Sequence, residues 1–209
     1  MRMYEDHLML LSPPEIIRTE IARYKKASAK LIGDYQSMNS PAHISIQHKE
    51  RQKPFTTDRS IEFLETELTS LPPVLLHIDG FGNFPYLHGK FTIYANIRST
   101  PAVDDWFNQL KKKLKIKKAL TPHITITRNI PEKDFNKLWP HLRHKKLVEP
   151  FWINALTVVK RDTFDPYAKW EFFKAFEFKN QQGFIGTENI EGGRIEMVGQ
   201  DQTSLFETI

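Results

Sequence analysis

Two short stretches of this chain each pair an imidazole with a hydroxyl. They are Pro41-Ala42-His43-Ile44-Ser45-Ile46 and Thr121-Pro122-His123-Ile124-Thr125-Ile126. Side chains alternate faces along a strand, so His43 and Ser45 point one way while Ile44 and Ile46 point the other, into a core. His123 and Thr125 repeat the arrangement. Two such faces across a cleft suit phosphodiester chemistry. A neutral imidazole takes a proton from an attacking water or hydroxyl, and a protonated one gives a proton to the leaving oxygen. Histidine is the side chain whose ordinary pKa lies closest to neutrality, so both forms are available. The hydroxyls of Ser45 and Thr125 are placed to donate to the non-bridging phosphate oxygens, where transition-state charge collects. None of this requires a metal. One histidine on a polar strand face is ordinarily a surface residue. Two matched strands with similar flanks, their histidines 80 residues apart, call for a functional explanation. The pattern leaves open which histidine is the acid and which the base.

The surrounding elements must bring the two strands together. Residues 4–11 read as a strand, and Ser12-Pro13-Pro14-Glu15 as a helix start. Ile16, Ile17, Ile21, Tyr24, Ala27 and Leu31 follow helical spacing, and Gly33 ends the helix. Residues 42–47 alternate as a strand and 48–57 read as a polar loop. Asp58 is expected to cap a helix carrying Ile61, Leu64 and Leu68 that stops before Pro72. Strands follow at 74–78, running into Gly80, and at 90–97. The second half repeats the plan. A helix opens at Pro101, a strand spans 122–127, a helix opens at Pro131 with Pro140 bending or shortening it, and strands cover 151–160 and 170–178. The repetition predicts a duplicated α+β fold of two lobes, each a small mixed or antiparallel sheet with helices outside. A pseudo-twofold axis would relate the lobes, with the active cleft between them.

The chain contains no cysteine, which excludes disulfides, thiolate catalysis and Cys-ligated zinc or iron–sulfur clusters. No apolar run approaches a membrane span, and the N-terminus lacks the features of a signal peptide. The expectation is a cytoplasmic monomer without cofactor and without membrane association. A net charge of +5 favours anionic partners. Lys111, Lys112, Lys113, Lys115, Lys117 and Lys118 crowd one segment, readable as a solvated helix end or as a contact for an RNA backbone. His7, His48, His77, His88, His141 and His144 form no metal set by spacing, and HExxH is absent. Beyond residue 180 the periodicity stops, and 181–209 read as a flexible tail. Within it Gln202-Thr203-Ser204-Leu205-Phe206 resembles the short peptide by which bacterial proteins dock on the replicative sliding clamp; chance, or a tail end that packs its two apolar residues on its own domain, is the favoured explanation for five residues.

The paired motifs resemble those of the 2H phosphoesterases, within them the 2′-5′ RNA ligases and 2′,3′-cyclic phosphodiesterases. The resemblance covers roughly residues 4–178, giving a domain over 1–180. It extends to Arg128 after the second motif, to Gly80-Phe81-Gly82-Asn83-Phe84 between the motifs, and to Trp170 near the last strand. It departs at Ser45, where threonine is usual, and at Gln47-His48-Lys49, where bacterial relatives tend to be apolar. The resemblance implies a bilobal fold and metal-independent transfer or hydrolysis at a cyclic or terminal ribose phosphate, with a 2′-phosphate as product. Arg128 lies five residues past His123, so on a regular strand it points away from that histidine. Phe81, Phe84, Tyr94 and Trp170 are candidates for a base-stacking platform, although at least half of such aromatics belong in a core. The partner expected is RNA or a nucleotide with a cyclic or 2′-5′ phosphate. Two rival readings are a small cyclic-nucleotide or 2′-5′ oligoadenylate phosphodiesterase, and an RNA-end-binding protein without turnover.

Overall fold

The computed structural model describes residues 3–181. The expected tail and its clamp-like peptide lie outside the described residues, apart from Gln181. The elements run β1 (Glu5–Leu11), α1 (Glu15–Ile32), β2 (Ile44–Gln52), α2 (Pro54–Glu62), α3 (Glu65–Thr69), β3 (Val74–Tyr86) and β4 (Lys90–Ile97). They continue with α4 (Pro101–Lys113), β5 (His123–Pro131), α5 (Glu132–Leu142), β6 (Pro150–Ile153), β7 (Ala155–Asp162) and β8 (Glu171–Glu177).

The expected α+β content is present, but two separate sheets are not. The strands form one eight-stranded sheet in the order β6-β3-β4-β5-β2-β1-β7-β8, and every neighbouring pair is antiparallel. Nor do the sequential halves of the chain make the two ends of this sheet. β3 and β4 pair with β5 and β6 of the second half, while β7 and β8 return to β1. The stretch expected as one strand at 151–160 is broken at Asn154, and its two pieces go to opposite sides of the strand order, β6 at one end and β7 next to the strand at the other. One residue spans at most ~3.6 Å, so the sheet must curl until those ends meet. The Phe178 amide, just past β8, donates to the Asn154 carbonyl at 2.8 Å and fastens that junction.

At the centre, β2 and β5 are joined through one residue pair, Ile44 opposite Ile124. Both are fully buried, in a core with Met9, Leu11, Ile17, Ile21, Leu156 and Val158. Helix α1 covers this face. Pro14 precedes it with an extended backbone and Glu15 opens its first turn. The buried stripe Ile17, Ile21, Lys25, Ser28 follows helical spacing, and Gly33, at a φ of 81°, stops it as expected. In α4, Thr100 caps the start through the Val103 amide, and Val103, Trp106, Phe107 and Leu110 are buried. Pro140 does not end α5, which runs on to Leu142.

Residues 48–57 are not a loop. β2 continues to Gln52, and α2 begins at Pro54 because a proline fits the first helical turn. Asp58 therefore sits inside α2 and caps nothing. Its carboxylate accepts from His7 Nε2 at 2.8 Å and from Lys160 Nζ at 2.6 Å. Lys160 also meets Glu5 at 3.1 Å. No helix among the described residues is long and apolar enough to cross a membrane.

The whole sheet turns on the isoleucine pair. Ile44→Ala leaves a cavity where the two strands meet and is expected to cost about 2–5 kcal/mol. A urea unfolding midpoint that hardly moves would contradict this account of the join.

Candidate active site

The antiparallel register at Ile44 and Ile124, extended one residue each way, sets His43 opposite Thr125 and Ser45 opposite His123. With the isoleucines turned into the core, all four polar side chains face the other side of the sheet. In such a pair the two histidines lie on a diagonal, with backbone positions roughly 7–8 Å apart. A phosphate fits between imidazoles at that spacing. His43 and His123 are close enough for the charge of one to bear on the other.

Both imidazoles are held in the same way. His43 Nδ1 lies 2.9 Å from the Pro41 carbonyl, and His123 Nδ1 lies 2.7 Å from the Thr121 carbonyl. A carbonyl oxygen only accepts, so Nδ1–H donates in both cases and each neutral ring keeps its lone pair on Nε2. Burial lowers the pKa of His43; the Pro41 carbonyl opposes this, and the charges of Lys25, Arg128 and His123 add to the lowering. Burial lowers that of His123 too, against the Thr121 carbonyl and with help from Arg128. Both rings are thus predominantly neutral at neutral pH.

A cleft of about 680 Å³ opens on this face. Its walls include His43, Ser45 and Thr125 between two unlike ends. At one end stand Arg18, Lys25 and Arg128. At the other stand His48, Arg161 and Trp170, above a floor of Leu8, Leu10, Thr157 and Val159. Among the described residues the lining includes no aspartate or glutamate. His123 is not part of that lining; it stands beside Thr125 on β5, against the rings of Phe84 at 5.2 Å and Tyr94 at 5.0 Å.

Arg128 reaches the cleft because β5 is not regular. Tyr94 pairs with Thr125, but Ile93 pairs with Thr127, so β5 carries one extra residue at Ile126. Such a bulge shifts the alternation by one. Ile126 and Thr127 are both buried on the core side, and Arg128 comes out on the histidine's face, contrary to the expectation for a regular strand. β2 carries the same irregularity at the same place. Leu10 pairs with Ser45 and Met9 with Gln47, which leaves Ile46 as the extra residue. His48, five residues past His43, then returns to the cleft.

The other sequence candidates divide. Phe84 stacks on Tyr94 at 4.3 Å, and Tyr94 is buried. The Tyr94 ring lies across Gly82, where an added Cβ would meet the ring Cζ at 2.6 Å. These rings therefore support His123. Phe81 packs on Tyr24 at 5.0 Å, in the core. Trp170, 37% exposed, closes the far end of the cleft, with the Arg161 guanidinium over its ring at 4.6 Å and the His48 ring at 5.7 Å. Asp6 holds Arg161 in place at 3.0 Å. Lys111, Lys112, Lys113, Lys115, Lys117 and Lys118 do not line the cleft; Lys113 instead meets Glu67 at 3.4 Å.

Lys25 was not among the residues the motifs pointed to. It is buried on the apolar stripe of α1 and donates to the carbonyls of Ser37 at 3.1 Å and Ser40 at 2.7 Å. Burial pulls its pKa down to about 8, and Arg128 adds to the effect. A lysine in an apolar helical stripe was the available signal. The structure also brings Glu5, His7 and Asp58 within metal-ligand reach of one another, which spacing alone concealed. The ammonium of Lys160 already bonds both carboxylates, so the group reads as a buried ion network.

Known proteins agree with this architecture. The sequence matches the model of the 2′-5′ RNA ligase superfamily over residues 13–164. E. coli LigT complexed with 3′-AMP is similar in structure, with a TM-score of 0.55 and 12% identity over 84% of this chain and 98% of that one. TT0787 of Thermus thermophilus gives a TM-score of 0.58 and 15% identity, over 85% of this chain and 100% of that one. At these identities the likeness is one of fold. No curated protein sequence matches. Together, fold and family match define a two-histidine phosphoesterase architecture. The chain belongs to the 2′-5′ RNA ligase superfamily.

The two imidazoles set a pH dependence. Their folded pKa values lie below the ordinary 6.5, so they contribute stability above that value and lose it as pH falls through the folded values. Nitrogen-detected NMR titration is expected to give both midpoints below 6.5, each neutral ring as the Nδ1–H tautomer. A midpoint above 6.5 in the free protein would refute the burial argument.

Proposed function

We propose that this chain is a phosphoesterase of RNA-type phosphodiesters. It hydrolyses 2′,3′-cyclic phosphate ends, with the 3′-oxygen leaving, and joins such an end through a 2′-5′ link when a 5′-hydroxyl takes the place of the attacking water. The observation that carries this reading is the diagonal pair His43 and His123 across the Ile44–Ile124 join, each opposite a hydroxyl.

In the reaction proposed, the phosphorus sits between the two Nε2 atoms. One neutral imidazole takes the proton of the attacking water. The other, protonated once the substrate's negative charge is bound, returns a proton to the departing ribose oxygen. Ser45 and Thr125 donate to the non-bridging oxygens, and Arg128 adds positive charge where negative charge grows. Fixing the Nδ1–H bonds to Pro41 and Thr121 keeps both lone pairs aimed without reorganisation during the reaction. The side chains supply acid, base and charge stabilisation, so no metal enters the mechanism.

Support for a nucleotide substrate comes from the cleft's composition, with its cationic end and its apolar floor closed by Trp170. E. coli LigT has been solved with 3′-AMP, with phosphate, with NADP+ and with ATP. The matching order of elements, β1-α1-β2 and β4-α4-β5, supports reading the two ends of the sheet as lobes of a duplicated unit. The domain proposed spans 1–180, with 181–209 appended to it. One observation favours the alternative of a small cyclic nucleotide or a 2′-5′ oligoadenylate. The six clustered lysines lie off the cleft and offer an RNA backbone nothing there.

The test is turnover, with EDTA present, of a short oligoribonucleotide ending in a 2′,3′-cyclic phosphate. His43→Ala and His123→Ala are each expected to lower kcat/KM by about 10²–10⁴-fold. Ser45→Ala and Thr125→Ala are expected to cost about 10²–10³-fold. Loss of wild-type activity in EDTA would refute the metal-free mechanism. Binding without turnover would make the protein an RNA-end binder.

A further inference from the structure

A second cavity, of about 480 Å³, plays no part in this mechanism. It runs between α1 and the loop at residues 38–42, and shares Arg18, Lys25, Ser40, Pro41 and Ala42 with the catalytic cleft. The two therefore adjoin along those residues. Its helix wall is Glu15, Arg18, Thr19, Ala22, Arg23 and Lys26. Those positions follow the spacing of a single helix face. The small side chains of Thr19 and Ala22 form its middle, and cations flank them.

The opposite wall is built in place. The ammonium of Lys25 ties the Ser37 and Ser40 carbonyls to α1, and the Tyr35 hydroxyl donates to the Lys25 carbonyl at 3.0 Å. The Met38 and Ser40 amides close turns on the Tyr35 and Ser37 carbonyls. A groove formed before its ligand arrives loses less on binding than one that must be ordered.

Charge decides what it suits. Among the described residues Arg18, Arg23, Lys25 and Lys26 line it against one acid, Glu15. Glu15 pairs with Arg18, and Glu20 meets Arg23 at 3.0 Å across an exposed contact. Exposed pairs of this kind are weak and exchange readily for phosphate. Lys25 and Lys26 have no such carboxylate partner among the ion pairs of the described residues. A row of cations leading out of a phosphodiesterase cleft, with small residues between, matches a single-stranded polyanion.

We infer that the groove between α1 and residues 38–42 binds the phosphates of a single-stranded polynucleotide whose end is processed in the cleft. The inference rests on the proposed function and sharpens it, since the preferred substrate becomes an oligonucleotide end. It also moves the backbone contact from the lysines at the end of α4 and just beyond it to α1.

The experiment compares a nucleoside 2′,3′-cyclic phosphate with an oligoribonucleotide of about ten residues carrying the same end. It also measures binding of the oligomer ending in an inert 3′-phosphate, by fluorescence anisotropy over a range of salt. Wild type is expected to favour the oligomer. Arg23→Glu with Lys26→Glu is expected to cut the ratio of oligomer to mononucleotide kcat/KM at least tenfold, and to flatten the salt dependence of oligomer affinity by about one charge or more. Arg23 is 76% exposed in its side chain, so the fold is expected to survive. The neutral pair Arg23→Gln and Lys26→Gln supplies a second, milder test. Lys112→Glu with Lys117→Glu is expected to leave the ratio as in wild type. A wild type without preference for the oligomer, a preference that survives the α1 changes, or one that follows the α4 changes would each overturn the inference. Groove-dependent binding of the oligomer with no turnover of either substrate would uphold the groove and refute the proposed reaction.

Discussion

The contact between Ile44 and Ile124 governs the site. It is the one residue pair by which β2 and β5 are joined, and both side chains are fully buried. Strand alternation leaves their neighbours no choice. With the isoleucines inward, His43, Ser45, His123 and Thr125 are outward on the same face and at fixed offsets. A slip of one residue in this register would send all four into the core and both isoleucines into the cleft. The apolar contact therefore fixes the relative positions of four polar groups that need not touch one another.

Two β-bulges complete the cleft. In each motif strand the first extra residue, Ile46 or Ile126, stands at the same distance from its histidine. The bulges turn His48 and Arg128 onto the catalytic face. Arg128 joins Lys25, Arg18 and Arg161 in a cleft whose lining among the described residues includes no carboxylate. The nearby acids are engaged elsewhere. Asp6 holds Arg161, while Glu5 and Asp58 hold Lys160 at the His7 site. Burial lowers the pKa of both imidazoles, and the neighbouring positive charge adds to the lowering.

The two ends of the sheet share an order of elements but not a surface. On the β3–β5 side the face is filled, because Tyr94 lies flat over Gly82, Phe84 stacks on Tyr94 and both rings back His123. On the β1–β7 side it is open, floored by Leu8, Leu10, Thr157 and Val159 and closed by Trp170. The filled side positions a histidine; the open side leaves a cleft with an apolar floor.

The sequence by itself determined the local elements and the chemistry-bearing pairs. Period-two alternation located both motif strands, helical spacing with Gly33 located α1, and the absence of cysteine limited the chemistry. It did not determine how distant strands pair. The sheet is continuous because strand partners are chosen across the whole chain, and a break as small as Asn154 redirects β7 to the far side. Arg128 could not be placed from sequence, since a bulge is a mismatch between two strands and is invisible in either one. Asp58 read as a helix cap because its partners, His7 and Lys160, are 51 and 102 residues away. Lys25 read as one polar residue in an apolar stripe until the carbonyls of Ser37 and Ser40 folded over it. Short-range periodicity is set by backbone geometry and is legible in a line of residues. Charge networks, bulges and grooves arise from tertiary packing, which only the folded chain specifies.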